Sequence, residues 1–152
     1  MSIVRVTKEF AFEMAHALDN YDGHCRHVHG HSYKLFVTVK GEPSTDDNSP
    51  KCGMVIDFGV LKRIVNEEII SKYDHALVLR SRDSKTEVLE QLERTFGNVI
   101  TVDYQSTCEN MVVRFAESIQ RRLPEGLELF CVKLHETATS YAEWYASDNK
   151  SE

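Results

Sequence analysis

No apolar run in this chain of 152 residues approaches the ~20 residues that a helical membrane span requires, so that class is set aside. Residues 1–9 carry Arg5 and Lys8 without a continuous apolar core; no secretory leader is expected, and a cytoplasmic location is. Positive charge is scarce too. The chain has 18 Lys and Arg against 24 Asp and Glu, a formal charge of −6, and no basic cluster. Binding to nucleic acid by counterion release needs such a cluster, so an anionic ligand would have to be small and met by local charge. Four scattered cysteines make no disulfide framework; Cys108 and Cys131 fall in stretches patterned as regular structure, and free thiols are expected. Repeats, linkers and low-complexity segments are missing, and the length suits one domain, residues 1–152, around one core.

What is present centres on residues 25–31, Cys25, Arg26, His27, Val28, His29, Gly30 and His31. In an extended segment His29 and His31 project to one side, with no bulk from Gly30 between them. Neutral imidazole is the commonest protein metal ligand, and three nitrogen ligands with a vacant fourth position suit a zinc ion that acts on a substrate. The third ligand is expected to be His16, which ends an alternating run whose Phe10, Phe12, Met14 and His16 share one face. Two other readings stand beside this one: surface histidines that bind metal adventitiously, or a closed structural site that uses Cys25 as a ligand.

Alternation predicts strands over residues 3–16 and 31–41, joined by a loop at 18–24, with a polar connection at 42–53. Asp57 can cap a helix whose Phe58, Leu61, Ile64, Val65 and Ile69 form one stripe. Asp74 and His75 break that pattern, and as neighbours at a helix exit they read as a surface charge pair or as a catalytic one. Ser84 with Glu87, and Ser106 with Glu109, have capping-box spacing ahead of a short amphipathic helix and a second long one. Residues 99–102 read as a strand between them. In 127–136, Phe130, Val132, Leu134 and Glu136 fall on one side, which puts a carboxylate at the end of an apolar face. Residues 141–145 read as a last strand. The order fits an α+β protein, an antiparallel sheet with helices on one face, whose other face and edges self-association would cover.

Six pieces in fixed order then resemble a known family: residues 12–16, residues 25–31, residues 55–58, Asp74 with His75, Thr107 with Glu109 and Asn110, and Glu136 with Thr137. The chain resembles the 6-pyruvoyltetrahydropterin synthase and 6-carboxytetrahydropterin synthase family over nearly its whole length. The resemblance implies a tunnelling fold: a four-stranded antiparallel sheet with two long helices on one face, assembled as a homohexameric barrel with sites between subunits. It places zinc on His16, His29 and His31, the catalytic cysteine on Cys25, the catalytic Asp and His on Asp74 and His75, and the pterin-anchoring glutamate on Glu136. Thr107 is expected to add a substrate contact, though entry to the helix explains it equally well. The three residues between Cys25 and His29 look like the carboxy branch, which converts 7,8-dihydroneopterin triphosphate to 6-carboxytetrahydropterin on the way to queuosine and releases acetaldehyde and triphosphate. The pyruvoyl branch, a triphosphate-eliminating lyase, and a non-catalytic pterin- or metal-binding module are the alternatives. Residues 80–104 are longer than in compact members.

Overall fold

The computed structural model describes residues 2–81 and 86–150. Its spine is a pair of long strands, β1 (Val4–His16) and β2 (His29–Gly41), which run antiparallel from Val4 opposite Gly41 to His16 opposite His29. Alternation sorts their side chains. Phe10, Phe12, Met14 and His16 of β1 and Tyr33, Leu35, Val37 and Val39 of β2 are buried on one face, while Glu9, Glu13, Ser32 and Lys34 are exposed on the other. A slip of one residue would turn the whole apolar set outward, so burial itself fixes this register.

Asp57 caps α1 (Phe58–Val65) by accepting from the Gly59 N–H at 2.7 Å, and Lys51 pairs with its carboxylate. The helix continues through a π turn (Asn66–Ile70) into the short α2 (Ser71–Tyr73). Leu61, Ile64, Val65 and Ile69 enter the core as their spacing predicts, whereas Phe58 in the first turn stays half exposed. The second long helix comes later as α4 (Cys108–Gln120), which buries Met111, Val112, Phe115, Ala116 and Ile119. Its cap is Thr107, whose hydroxyl accepts from the Asn110 N–H at 3.3 Å, so Ser106 and Glu109 do not form the expected capping box. In the other expected box, Ser84 lies outside the described residues.

The sheet departs from expectation. Besides β1 and β2 it contains β3 (Ala76–Arg80), β4 (Val99–Val102), β5 (Glu128–His135) and β6 (Tyr141–Tyr145), in the order β4-β3-β1-β2-β5-β6. β3 runs parallel to β1, and β4 parallel to β3; the other pairs are antiparallel. The expected four-stranded antiparallel sheet is therefore corrected to a six-stranded mixed one, with a third helix, α3 (Thr86–Phe96), in the crossover from β3 to β4. A parallel crossover has no tight hairpin turn to announce it, and an apolar run as short as 76–79 carries too little periodicity to declare itself a strand. At the other edge the register shifts between Thr38, paired with Cys131, and Val39, paired with Leu129. This bulge takes Phe130 out of the expected inner face, and the Arg5 guanidinium lies over its ring, 3.8 Å from the centroid. Leu129, Val132 and Leu134 fill the core instead. Among the described residues no helix is long and apolar enough to cross a membrane.

Candidate active site

The β1–β2 register assembles the histidines. His16 stands directly opposite His29, and His31 follows two residues later on the same face. His16 is 1% exposed. Its Nδ1 lies 2.7 Å from the Ser106 carbonyl, and His29 Nδ1 lies 2.7 Å from the His27 carbonyl. A carbonyl can only accept, so each Nδ1 carries a proton, and in the neutral ring that a metal takes each Nε2 keeps a lone pair. Those two Nε2 atoms are 3.1 Å apart, and one nitrogen from each of the three rings lies within 4.8 Å of the others. His31 Nε2 is buried with no hydrogen-bond partner. Facing lone pairs repel unless a cation lies between them, so this donor set fits a divalent metal ion of the zinc type.

Electrostatics keep the His16 and His31 rings ready to bind. Burial pushes His16 down to about 4; the Ser106 carbonyl opposes the fall, while His29 and His31 add to it. Burial also lowers His31, against the opposing carboxylate of Glu136. Neutral imidazole is the form a metal takes. The cost appears in acid. Unfolded His16 takes up a proton near its ordinary 6.5, while the folded ring refuses it until about 4. This contribution to stability is complete above pH 6.5 and is lost as pH falls to about 4, on the order of 3 kcal/mol in all. Urea midpoints of the metal-free protein should fall from pH 7 to pH 4.5, and a flat profile would contradict a neutral, buried His16.

Asp74 and His75 form a pair fixed by β1. The Glu13 N–H donates to Asp74 Oδ1 at 2.9 Å, and the His75 N–H donates to the Glu13 carbonyl at 2.6 Å. His75 Nδ1 lies 3.0 Å from the same Asp74 oxygen. The Glu13 N–H holds the Asp74 carboxyl below the usual carboxylate range, with the His75 ring adding to the effect. His75 has φ +61°, a left-handed backbone that costs a β-carbon-bearing residue about 1–2 kcal/mol and that these two hydrogen bonds to Glu13 offset. The strained turn aims the ring at a cleft of about 450 Å³ that Glu13, Gly30, His31, Ser32, His75 and Phe96 help to line. Of the three histidines only His31 is among the lining residues, and Glu13, Ala15, Gly30 and Ser32 set the cleft on the face of the β1–β2 pair opposite the imidazole cluster.

Cys25 is exposed, in a single turn of 3-10 helix (His24–Arg26) held by the Leu18 N–H on the Cys25 carbonyl at 2.9 Å. It is not among the converging metal donors found in the described residues, which argues against the closed site built on its sulfur. The next residues, Arg26 and His27, line a second cavity of about 540 Å³ together with Arg80. Glu136 leaves the end of β5 and brings Oε1 to 3.5 Å from His16 Nε2 and 3.6 Å from His31 Nε2. Thr107 uses its hydroxyl oxygen to cap α4.

The sequence pattern of the 6-pyruvoyl tetrahydropterin synthase family matches residues 5–147. This chain belongs to that family. Among its relatives is the 6-carboxy-5,6,7,8-tetrahydropterin synthase of Haemophilus influenzae, 36% identical over 143 residues, which cover 92% of this chain and 97% of the relative. The 6-carboxy-5,6,7,8-tetrahydropterin synthase of Rickettsia bellii is 27% identical over 144 residues, 93% of this chain and 99% of its own. The fold recurs in the crystal structure of an uncharacterized protein from Wolinella succinogenes, with a TM-score of 0.74 at 23% identity, covering 96% of this chain and 99% of that one.

Two residues important to this family member's site escaped the sequence reading. Ser106 orients His16, and Glu13 clamps the Asp74–His75 pair, both through backbone atoms. A main-chain carbonyl or N–H leaves no trace in residue identity, so no sequence signal could have marked Glu13. Ser106 had one faint sign: a polar residue just ahead of a helix, read as its cap, turns out to be wholly buried.

Proposed function

We propose that this chain is a zinc-dependent 6-carboxy-5,6,7,8-tetrahydropterin synthase that converts 7,8-dihydroneopterin triphosphate to 6-carboxytetrahydropterin, releasing acetaldehyde and triphosphate. The observation that carries the reading is the convergence of the His16, His29 and His31 nitrogens at the end of the β1–β2 pair. The names of the two relatives above support the carboxy product. His16, His29 and His31 would hold the ion. When bound, zinc supplies Lewis acidity toward the oxygens of the substrate side chain.

The remaining work falls to the protein's own groups. Cys25 is the general base for protons on the side-chain carbons. With Nδ1 committed to Asp74, His75 presents Nε2 to the cleft, where it exchanges a proton with a substrate oxygen. Glu136 accepts the amino group and ring N–H of the pterin, a bidentate match that other heterocycles do not offer, and Thr107 adds a contact. Arg26, His24 and His27 meet the triphosphate. His75 and Phe96, each 77% exposed at the cleft, suit a site completed by another subunit, in keeping with a homohexamer. A cytoplasmic enzyme feeding queuosine synthesis completes the reading.

Mass spectrometry of a reaction containing the protein, zinc and 7,8-dihydroneopterin triphosphate tests it. The expected product is 6-carboxytetrahydropterin, with one acetaldehyde for each substrate consumed. A 6-pyruvoyl product without acetaldehyde would move the chain to the pyruvoyl branch. No turnover at all would leave a binding module.

A further inference from the structure

Glu136 holds a position that pterin recognition alone does not account for. The turn after β5 fixes it, with the Glu136 N–H donating to the Ser140 carbonyl at 3.1 Å. From there its Oε1 reaches the edge between two rings, 3.5 Å from His16 Nε2 and 3.6 Å from His31 Nε2. The Ser106 carbonyl claims the proton of His16 on Nδ1, so the Nε2 that faces Glu136 carries a lone pair. His31 Nε2 has no partner. An acidic oxygen therefore faces the His16 lone pair and a His31 Nε2 that makes no hydrogen bond, and a divalent cation among them satisfies all three. Zinc bonds to imidazole and carboxylate of about 2.0–2.2 Å set tetrahedral ligand atoms about 3.3–3.6 Å apart. Both Glu136 separations fall at that spacing.

We infer that Glu136 is a fourth protein ligand of the divalent cation in the substrate-free protein, displaced when substrate oxygens arrive. The inference rests on the metal reading of the three histidines and goes beyond it. A carboxylate on the vacant position holds the cation without closing the site permanently, because the three imidazoles keep the ion when the carboxylate leaves. The released oxygens are then free for the amino and ring N–H groups of a pterin. One side chain thereby couples arrival of the substrate oxygens to capture of the ring.

Two variants, Glu136→Gln and Glu136→Ala, test this without any turnover assay. Zinc affinity is measured by competition with a chromogenic chelator, and the cobalt-loaded proteins are compared by visible absorption, with circular dichroism to verify folding. Both variants should bind zinc about 10-fold to 100-fold more weakly than the parent and show altered cobalt d–d bands. Affinities within about twofold and unchanged bands in both folded variants would overturn the role of Glu136 while leaving the histidine site intact. A parent protein that binds neither metal would remove the metal reading and this inference together.

Discussion

Cys25→Ala is expected to lower turnover about 10³-fold while the metal content of the purified protein stays at the parental level. The size of the effect follows from the role. General-base catalysis by a positioned side chain is worth about 10²–10⁴-fold, and alanine leaves no group at that place to accept the proton. Unchanged metal follows from position, because Cys25 stands on an exposed turn and is absent from the converging donors among the described residues. Elemental analysis and steady-state kinetics on one preparation separate the two effects. Retained activity would remove Cys25 from the chemistry, and loss of metal with activity would return it to a structural site.

His31→Ala is expected to do what the cysteine change does not. His31 projects to the same face as His16 and His29, and its Nε2 is buried without a hydrogen-bond partner, so truncation removes no hydrogen bond made by that atom. Metal affinity should drop by at least about 100-fold and turnover should fall with it, since even partners outside the ligand set of a metal are worth 10–100-fold. Stability of the metal-free protein should change little. Metal titration, kinetics and a urea melt of the chelated variant check the three statements. A variant that keeps full metal and activity would leave the cluster a structural arrangement of imidazoles.

The contrast between the two variants also shows what was legible in the chain. Alternation over Phe10, Phe12, Met14 and His16 gave both the strand and the face of its last residue, because a half-buried strand must segregate its side chains by twos. The His29, Gly30, His31 triplet then put two more rings on that face, and the antiparallel register closed the cluster. Less visible were features that depend on distant parts of the chain. β3 pairs in parallel with β1 across about sixty residues, and nothing local at Ala76 encodes that partner. The bulge at Phe130 shifts a register that simple alternation carries straight through. Thr107 and Ser106 both resemble caps, and the carbonyl demand of His16 settles which of them stays buried.

The Asp74–His75 pair illustrates the boundary. Two adjacent residues at a helix exit read more readily as a surface charge pair than as a catalytic one, and the exposed His75 ring fits that reading too. What distinguishes the pair is the backbone of Glu13, which meets it on both sides and holds His75 in a left-handed conformation at the rim of a cleft. Strain maintained by specific hydrogen bonds at a cavity edge is characteristic of functional turns.

In the proposed site a divalent ion is held by nitrogen and oxygen, with sulfur kept outside. X-ray absorption at the zinc edge of the loaded protein tests it most directly. The expected spectrum shows nitrogen and oxygen scatterers at about 2.0–2.2 Å with the outer-shell signature of three imidazoles. A sulfur scatterer at about 2.3 Å would contradict it.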